Sequence, residues 1–208
     1  MKNIFVLIFI FFNTVVFSQK TYSFDFFAKY SIKVPEKGLC SEHLVYYNTD
    51  NFNYALFING NQKTGLYGRL IDFEKRLLHR YTIVQSGKGK DIVFSFKLKE
   101  SEYLSRGNDF FRNYFPVFEN HTLTLYQNKR KKNIVDIVDF DYVKANKNLF
   151  PVFRIAAYHP LEYKSEVDPR ENVMVKSAKF YDKNKEVCKE VILDEYKNIA
   201  LDLIVPAR

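Results

Sequence analysis

The residues that could do chemistry are few and far apart. There are four histidines, His43, His79, His121 and His159; none lies two to five positions from another His, and only His43 lies that near a Cys, three positions after Cys40, a spacing that on a strand puts the two side chains on opposite faces. A local metal site needs such spacing, because one turn or strand must present two donors to one ion. Histidine chemistry in this chain would therefore need strands distant in sequence to meet. Asp136, Asp139 and Asp141 form the one carboxylate cluster of interest, with Asp139 and Asp141 two positions apart. On a strand those two project to the same side. Paired carboxylates can serve glycoside hydrolysis or calcium binding, but a solvated strand face is their ordinary setting. The sequence contains no nucleophile elbow, phosphate loop, paired-cysteine zinc pattern or calcium loop. Gly87-Lys88-Gly89 is too short to cradle phosphate. No catalytic, cofactor-binding or metal-binding residue is assigned, and no cofactor is expected.

Two cysteines, Cys40 and Cys188, leave two readings open. An even count in an exported chain permits one disulfide. It would close a loop of more than a hundred residues, worth up to about 5 kcal/mol in the chain-entropy model. The other reading is two separate thiols. Asn120-His121-Thr122 matches the N-glycosylation sequon, which matters only on a eukaryotic secretory route.

The densest basic run is Lys129, Arg130, Lys131 and Lys132, flanked by Asn128 and Asn133. It reads as a solvated hairpin loop, and as the candidate contact with anionic lipid head groups or an acidic partner. The formal charge of the whole chain is +8, carried by 23 Lys against 9 Arg. Arg is the residue for bidentate phosphate capture, so a scattered lysine excess argues against a nucleic-acid partner. Lys, Asn, Phe, Tyr and Ile, all with AT-rich codons, are abundant together, which accounts for much of the excess. What remains suits a surface meeting anionic lipid or polysaccharide.

Residues 1–18 shape the cellular context. A basic start at Lys2 precedes an apolar run over residues 4–12, and Ser18 offers a small residue for cleavage. This is the pattern of a secretory signal peptide. The run is shorter than the roughly 20 apolar residues of a membrane helix. The expectation is export to a periplasm or the exterior, with one domain over residues 19–208.

The elements that must position any site are strands. Tyr22, Phe24, Phe26, Ala28, Tyr30, Ile32 and Val34 keep one phase of a period of two, with polar residues between them and Phe27 the single exception. That predicts a long strand with one wet face. Shorter alternating runs follow, separated by turn residues every ten or so positions, which favours an antiparallel meander. A twisted sheet of eight to eleven strands is too large to lie flat, so a barrel, half-barrel or sandwich is expected. One or two short helices are expected, at residues 99–115 and at the C-terminus, where Asp194 would cap the helix. Residues 150–158 read as one more apolar run among the strands.

The 15 Tyr and 21 Phe suit either a β core or the lining of an apolar cavity. The function expected is non-catalytic: an exported β-rich protein that binds an apolar ligand, a lipid surface or an envelope protein. The alternative is an exported hydrolase whose site assembles from distant strands, with His79 or His121 near Asp136, Asp139 or Asp141.

Overall fold

Period-two patterning runs through most of the chain, and strands dominate accordingly. The computed structural model describes residues 19–61, 65–86, 93–104, 115–157, 169, 171–182 and 184–206. Residues 1–18, read above as a signal peptide, lie outside them. Eleven strands are present: β1 (Gln19–Val34), β2 (Leu39–Tyr47), β3 (Tyr54–Asn61), β4 (Gly65–Asp72), β5 (Leu77–Ser86), β6 (Val93–Tyr103), β7 (Phe115–Glu119), β8 (Thr122–Tyr126), β9 (Ile134–Lys144), β10 (Val173–Tyr181) and β11 (Val187–Pro206). One helix, α1 (Phe150–Ala157), separates β9 from β10, and a 3-10 turn (Pro35–Lys37) follows β1.

All eleven strands form one antiparallel sheet in the order β6-β5-β4-β3-β2-β1-β11-β10-β9-β8-β7. Sequence neighbours are sheet neighbours everywhere except β6 and β7, which are the two edges, while β1 pairs with β11. The order is thus a ring opened once. The expected meander is present, but it does not close into a barrel. The β6 edge turns out Lys97 and Lys99, both exposed, and charged residues of this kind oppose further strand pairing.

The sheet is nevertheless two-sided. Tyr54, Ala55, Leu56, Phe57 and Ile58 of β3 are all buried, so apolar layers cover both faces of that strand. One face carries Ala55 and Phe57. It joins Phe26, Ala28, Tyr30 and Ile32 of β1 to Leu125, Val138, Phe140 and Phe180 of the far wing, all wrapped around α1. The other face carries Tyr54, Leu56 and Ile58, with Leu70, Tyr81 and Ile83, beneath Tyr22, Phe24, Leu203 and Val205.

A break in β1 makes the second layer. Its ladder with β2 begins only at Phe26, and its register with β11 shifts between Phe24 and Phe26. Such bulges sharpen local bend and twist. Residues 19–24 and 201–206 therefore leave the main sheet as a paired flap, with Tyr22 opposite Leu203 and Phe24 opposite Leu201. Phe27, the exception in the β1 pattern, is buried too, its ring 5.1 Å from that of Tyr46.

Two helix expectations need correction. The C-terminal segment is strand β11, not helix, because Leu201, Leu203 and Val205 meet the alternating face of β1. Asp194 caps nothing; it accepts a hydrogen bond from Ser31 Oγ at 2.5 Å. Residues 99–103 belong to β6, Leu104 follows it without regular structure, residues 105–114 lie outside the described residues, and Phe115 opens β7. The helix stands instead at residues 150–157, where Phe150 through Ala156 are all buried. A short helix buried on every side, Arg154 included, is a core element, and Asn148 Oδ1 receives the Phe150 N–H at its start.

Candidate functional site

Three places gather polar or cavity-forming residues. The first is a buried clasp under the flap. Asp72 of β4 is 1% exposed and accepts from Lys20 Nζ (2.5 Å), Tyr22 Oη (3.0 Å) and the Lys75 N–H (2.7 Å). His79 lies beside it, its Nε2 3.5 Å from Tyr22 Oη and its Nδ1 2.8 Å from Ser101 Oγ. Burial alone would raise the Asp72 pKa, but the donors from Lys20, Lys75 and Tyr22 outweigh it and hold the carboxyl below its usual value. Serine, histidine and carboxylate come together here, yet His79 is only 4% exposed and all sit beneath the flap. Both side chains that β1 sends to Asp72 tie the flap to the sheet, which is a structural role.

The second place is the C-terminal end of α1. Its last carbonyls need partners. His43 Nδ1 meets Ala156 O at 3.0 Å, and Lys189 Nζ donates to Ala157 O at 3.3 Å while lying 3.6 Å over the Phe180 ring. A carbonyl only accepts, so the His43 proton is on Nδ1. Burial holds the His43 pKa down, and nearby Arg69 and Lys189 act the same way against that hydrogen bond. Asp136 shares the inward phase of β9 with Val138 and Phe140. Burial pushes its carboxyl up to about 6, against the pull of Lys189 and the Ile137 N–H.

This raised pKa has a stability consequence of definite sign. The folded value exceeds the unfolded one of about 3.9. Asp136 therefore contributes fully below that value, and its contribution is lost as pH rises through about 6. Asp136→Asn should gain about 1–2 kcal/mol over the parent at pH 7.5 and nothing at pH 4. Urea titrations at the two pH values measure this, and an equal difference at both would contradict it.

The remaining sequence candidates stay apart. His79 on β5 and the three aspartates on β9 occupy opposite wings of the sheet. His121 is exposed and stacks on Tyr142 with centroids 4.1 Å apart, while Thr122 Oγ1 donates to Asp139 at 2.6 Å. Asp139 and Asp141 are exposed together on one strand face. His159 lies outside the described residues, as does Gly87-Lys88-Gly89. No group of His, Cys, Asp and Glu suited to a metal occurs among the described residues.

Cys40 and Cys188 are both free, the first exposed and the second half-buried with its Sγ 3.4 Å from Phe180 O. Cys40 lies on β2 and Cys188 on β11, with β1 paired between them. Two strand spacings exceed the roughly 7 Å that a disulfide tolerates between Cα atoms. Lys129, Arg130, Lys131 and Lys132 are exposed in the β8–β9 turn. That turn is closed by Gln127 N–H to Asn133 O at 3.0 Å and by the Asn133–Gln127 side-chain pair at 2.9 Å.

The third place is a groove of about 920 Å³ on the flap side of the sheet. The ladders explain it. Leu44 lies opposite Ile58, Gly60 opposite Leu66, Leu66 opposite Ile83, and Ile83 opposite Phe96. These residues extend the second core face upward, past the reach of Tyr22 and Phe24. Phe27 and Tyr46 close its inner end, and Glu42, Glu195 and Lys197 stand at its rim. The groove also looks onto strand edges. β2 and β3 pair only over residues 44–47 and 55–58, so above Leu44 and Ile58 the two strands part.

No protein-family model matches the chain, and no curated protein sequence matches it. The groove has no single signature in the sequence because its residues come from seven strands. The local signal was the repeated apolar phase in β2 to β6, which equally describes a sheet face that is fully covered.

Proposed function

We propose that the protein is an exported, non-catalytic binder of a ligand with a substantial apolar part. The groove carries this reading. Its volume of about 920 Å³ lies in the range of ligand sites, roughly 300–1,000 Å³. Its floor is aliphatic and aromatic, and its charged groups stand at the rim, as such sites require. The signal-like segment at 1–18 supports export. The exposed basic turn at 129–132 supplies a surface for anionic membrane, from which an apolar ligand could be taken or to which it could be delivered.

A neutral apolar probe tests this. Diphenylhexatriene should bind the purified protein saturably, with its fluorescence rising on transfer from water. Leu66→Lys and Phe94→Lys should weaken binding at least tenfold while leaving the melting temperature within a few degrees. Leu66 is half-buried and Phe94 exposed, so neither change empties the core. Absence of saturable binding by the parent protein would remove the reading.

A further inference from the structure

Behind the groove, where β2 and β3 part, lies a second hollow of about 90 Å³. Arg69, Phe57, Ile155 and Ala156 line it, and it shares His43, Leu44, Ile58 and Asn59 with the groove. The small hollow reaches the other face of the sheet, since Arg69 and Phe57 are out of phase with Leu66 of β4 and with Ile58 and Gly60 of β3, which line the groove. What joins them is the parting itself. The groove is lined by consecutive residues of both strands, Ser41-Glu42-His43 and Ile58-Asn59-Gly60. The parting is set by the ladder itself, which ends at Leu44 and Ile58 although β2 and β3 both continue.

The small hollow holds donors without acceptors. Arg69 Nε and Asn59 Nδ2 are buried atoms with no hydrogen-bond partner among the described residues. A buried donor left unpaired is destabilising, and more so when charged. Arg80 lies opposite Arg69 on β5 and is held by Glu100 (3.1 Å) and Glu102 (2.6 Å). Arg69 has no acidic partner among the described residues. The negative end of α1 does not supply one either, because Ala156 O and Ala157 O already face His43 and Lys189. The hollow therefore carries surplus positive charge and unused N–H groups beside an apolar groove.

We propose that this hollow is the head-group site for an anionic single-chain amphiphile: Arg69 and Asn59 hold a carboxylate, and the acyl chain passes through the β2–β3 parting into the groove. This rests on the binding function proposed above and specifies the ligand class. A volume near 90 Å³ accommodates a carboxylate and little more, and a guanidinium is the group best shaped to hold one.

The test compares palmitic acid with its uncharged methyl ester, each displacing diphenylhexatriene from the full protein at constant pH and salt. The parent should prefer the acid at least tenfold. Arg69→Met, which keeps the aliphatic stem, should erase the preference while still binding the ester at the parent's affinity; Asn59→Ala should reduce the preference severalfold. Melting curves establish that each variant is folded. Equal displacement by acid and ester in the parent would overturn the head-group site and leave the apolar binding function intact. If neither displaces the probe, both readings fall. If Arg69→Met is folded and still prefers the acid, the charge recognised lies elsewhere and the proposal is wrong.

Discussion

Phe153→Ala is expected to destabilise the fold by about 3–5 kcal/mol, the range for a large aromatic removed from a core that cannot collapse. Phe153 has no exposed surface and lies at the centre of α1. Its ring meets Phe140 at 5.4 Å, Phe150 at 5.7 Å, Tyr30 at 6.3 Å and Phe180 at 6.5 Å between centroids. These come from the near and far wings of the sheet and from the helix, so no single element can move to fill the space. The Tyr30 and Tyr47 hydroxyls, donating to Val175 O and Val152 O, tie the same region together. Urea unfolding at neutral pH measures the loss. A cost below about 1 kcal/mol would mean that α1 does not anchor the two wings.

That residue also marks where sequence reading stopped. The β1 strand was legible because a solvent-facing polar residue separates nearly every buried one, and all but the last of its seven in-phase apolar residues are buried. Residues 150–157 lack that contrast. A run broken only by Arg154 fits a buried strand or a buried helix equally well, and only the packing of two sheet wings around it decides. The C-terminal segment fails for the opposite reason. Ile199, Leu203 and Tyr196 match a helix stripe, and Leu201, Leu203 and Val205 match a strand. The flap half of β1, some 180 residues earlier, selects the strand by offering unpaired backbone and an apolar face.

The polar sites were less legible than the fold. His79 was paired in expectation with the aspartates of β9, but it stands beside Asp72, a residue that reads from sequence as the end of a strand before a turn. Asp72 does close that turn through the Lys75 N–H. Its second role depends on the bend of β1 after Phe24, which carries Lys20 and Tyr22 over the far face of β4. Nothing in the local pattern announces that bend, since the apolar phase continues through it unbroken. Arg69 and Asn59 were invisible for a related reason. Their meaning lies in partners they lack, and a missing partner has no sequence signature.

Asp72→Ala is expected to cost about 1–3 kcal/mol at pH 7, because it takes the carboxylate acceptor from the buried Tyr22 hydroxyl, leaving it only the long contact with His79, and opens the turn that the Lys75 N–H closes. Lys20→Ala should cost no more than about 1 kcal/mol, because the ammonium is 35% exposed and recovers water. The pH dependence separates charge from shape. The folded pKa of Asp72 lies below its ordinary value. Its stabilising contribution is therefore present above the unfolded pKa of about 3.9 and is lost as pH falls through the folded one. The gap between parent and Asp72→Ala should narrow in acid. Asp72→Asn, which preserves the shape and one acceptor, should fall between the two at pH 7 and converge on the parent at low pH. The sign is opposite to that of Asp136, and the window is lower, so Asp136→Asn should flatten the profile between pH 4 and pH 7.5 in the parent and in Asp72→Ala alike. The two sites lie on different wings, where effects add to within about 0.5 kcal/mol. If the cost of Asp72→Ala is the same at pH 3 as at pH 7, the carboxylate charge does not hold the flap, and packing of Tyr22, Phe24 and Leu203 alone keeps it closed over the sheet.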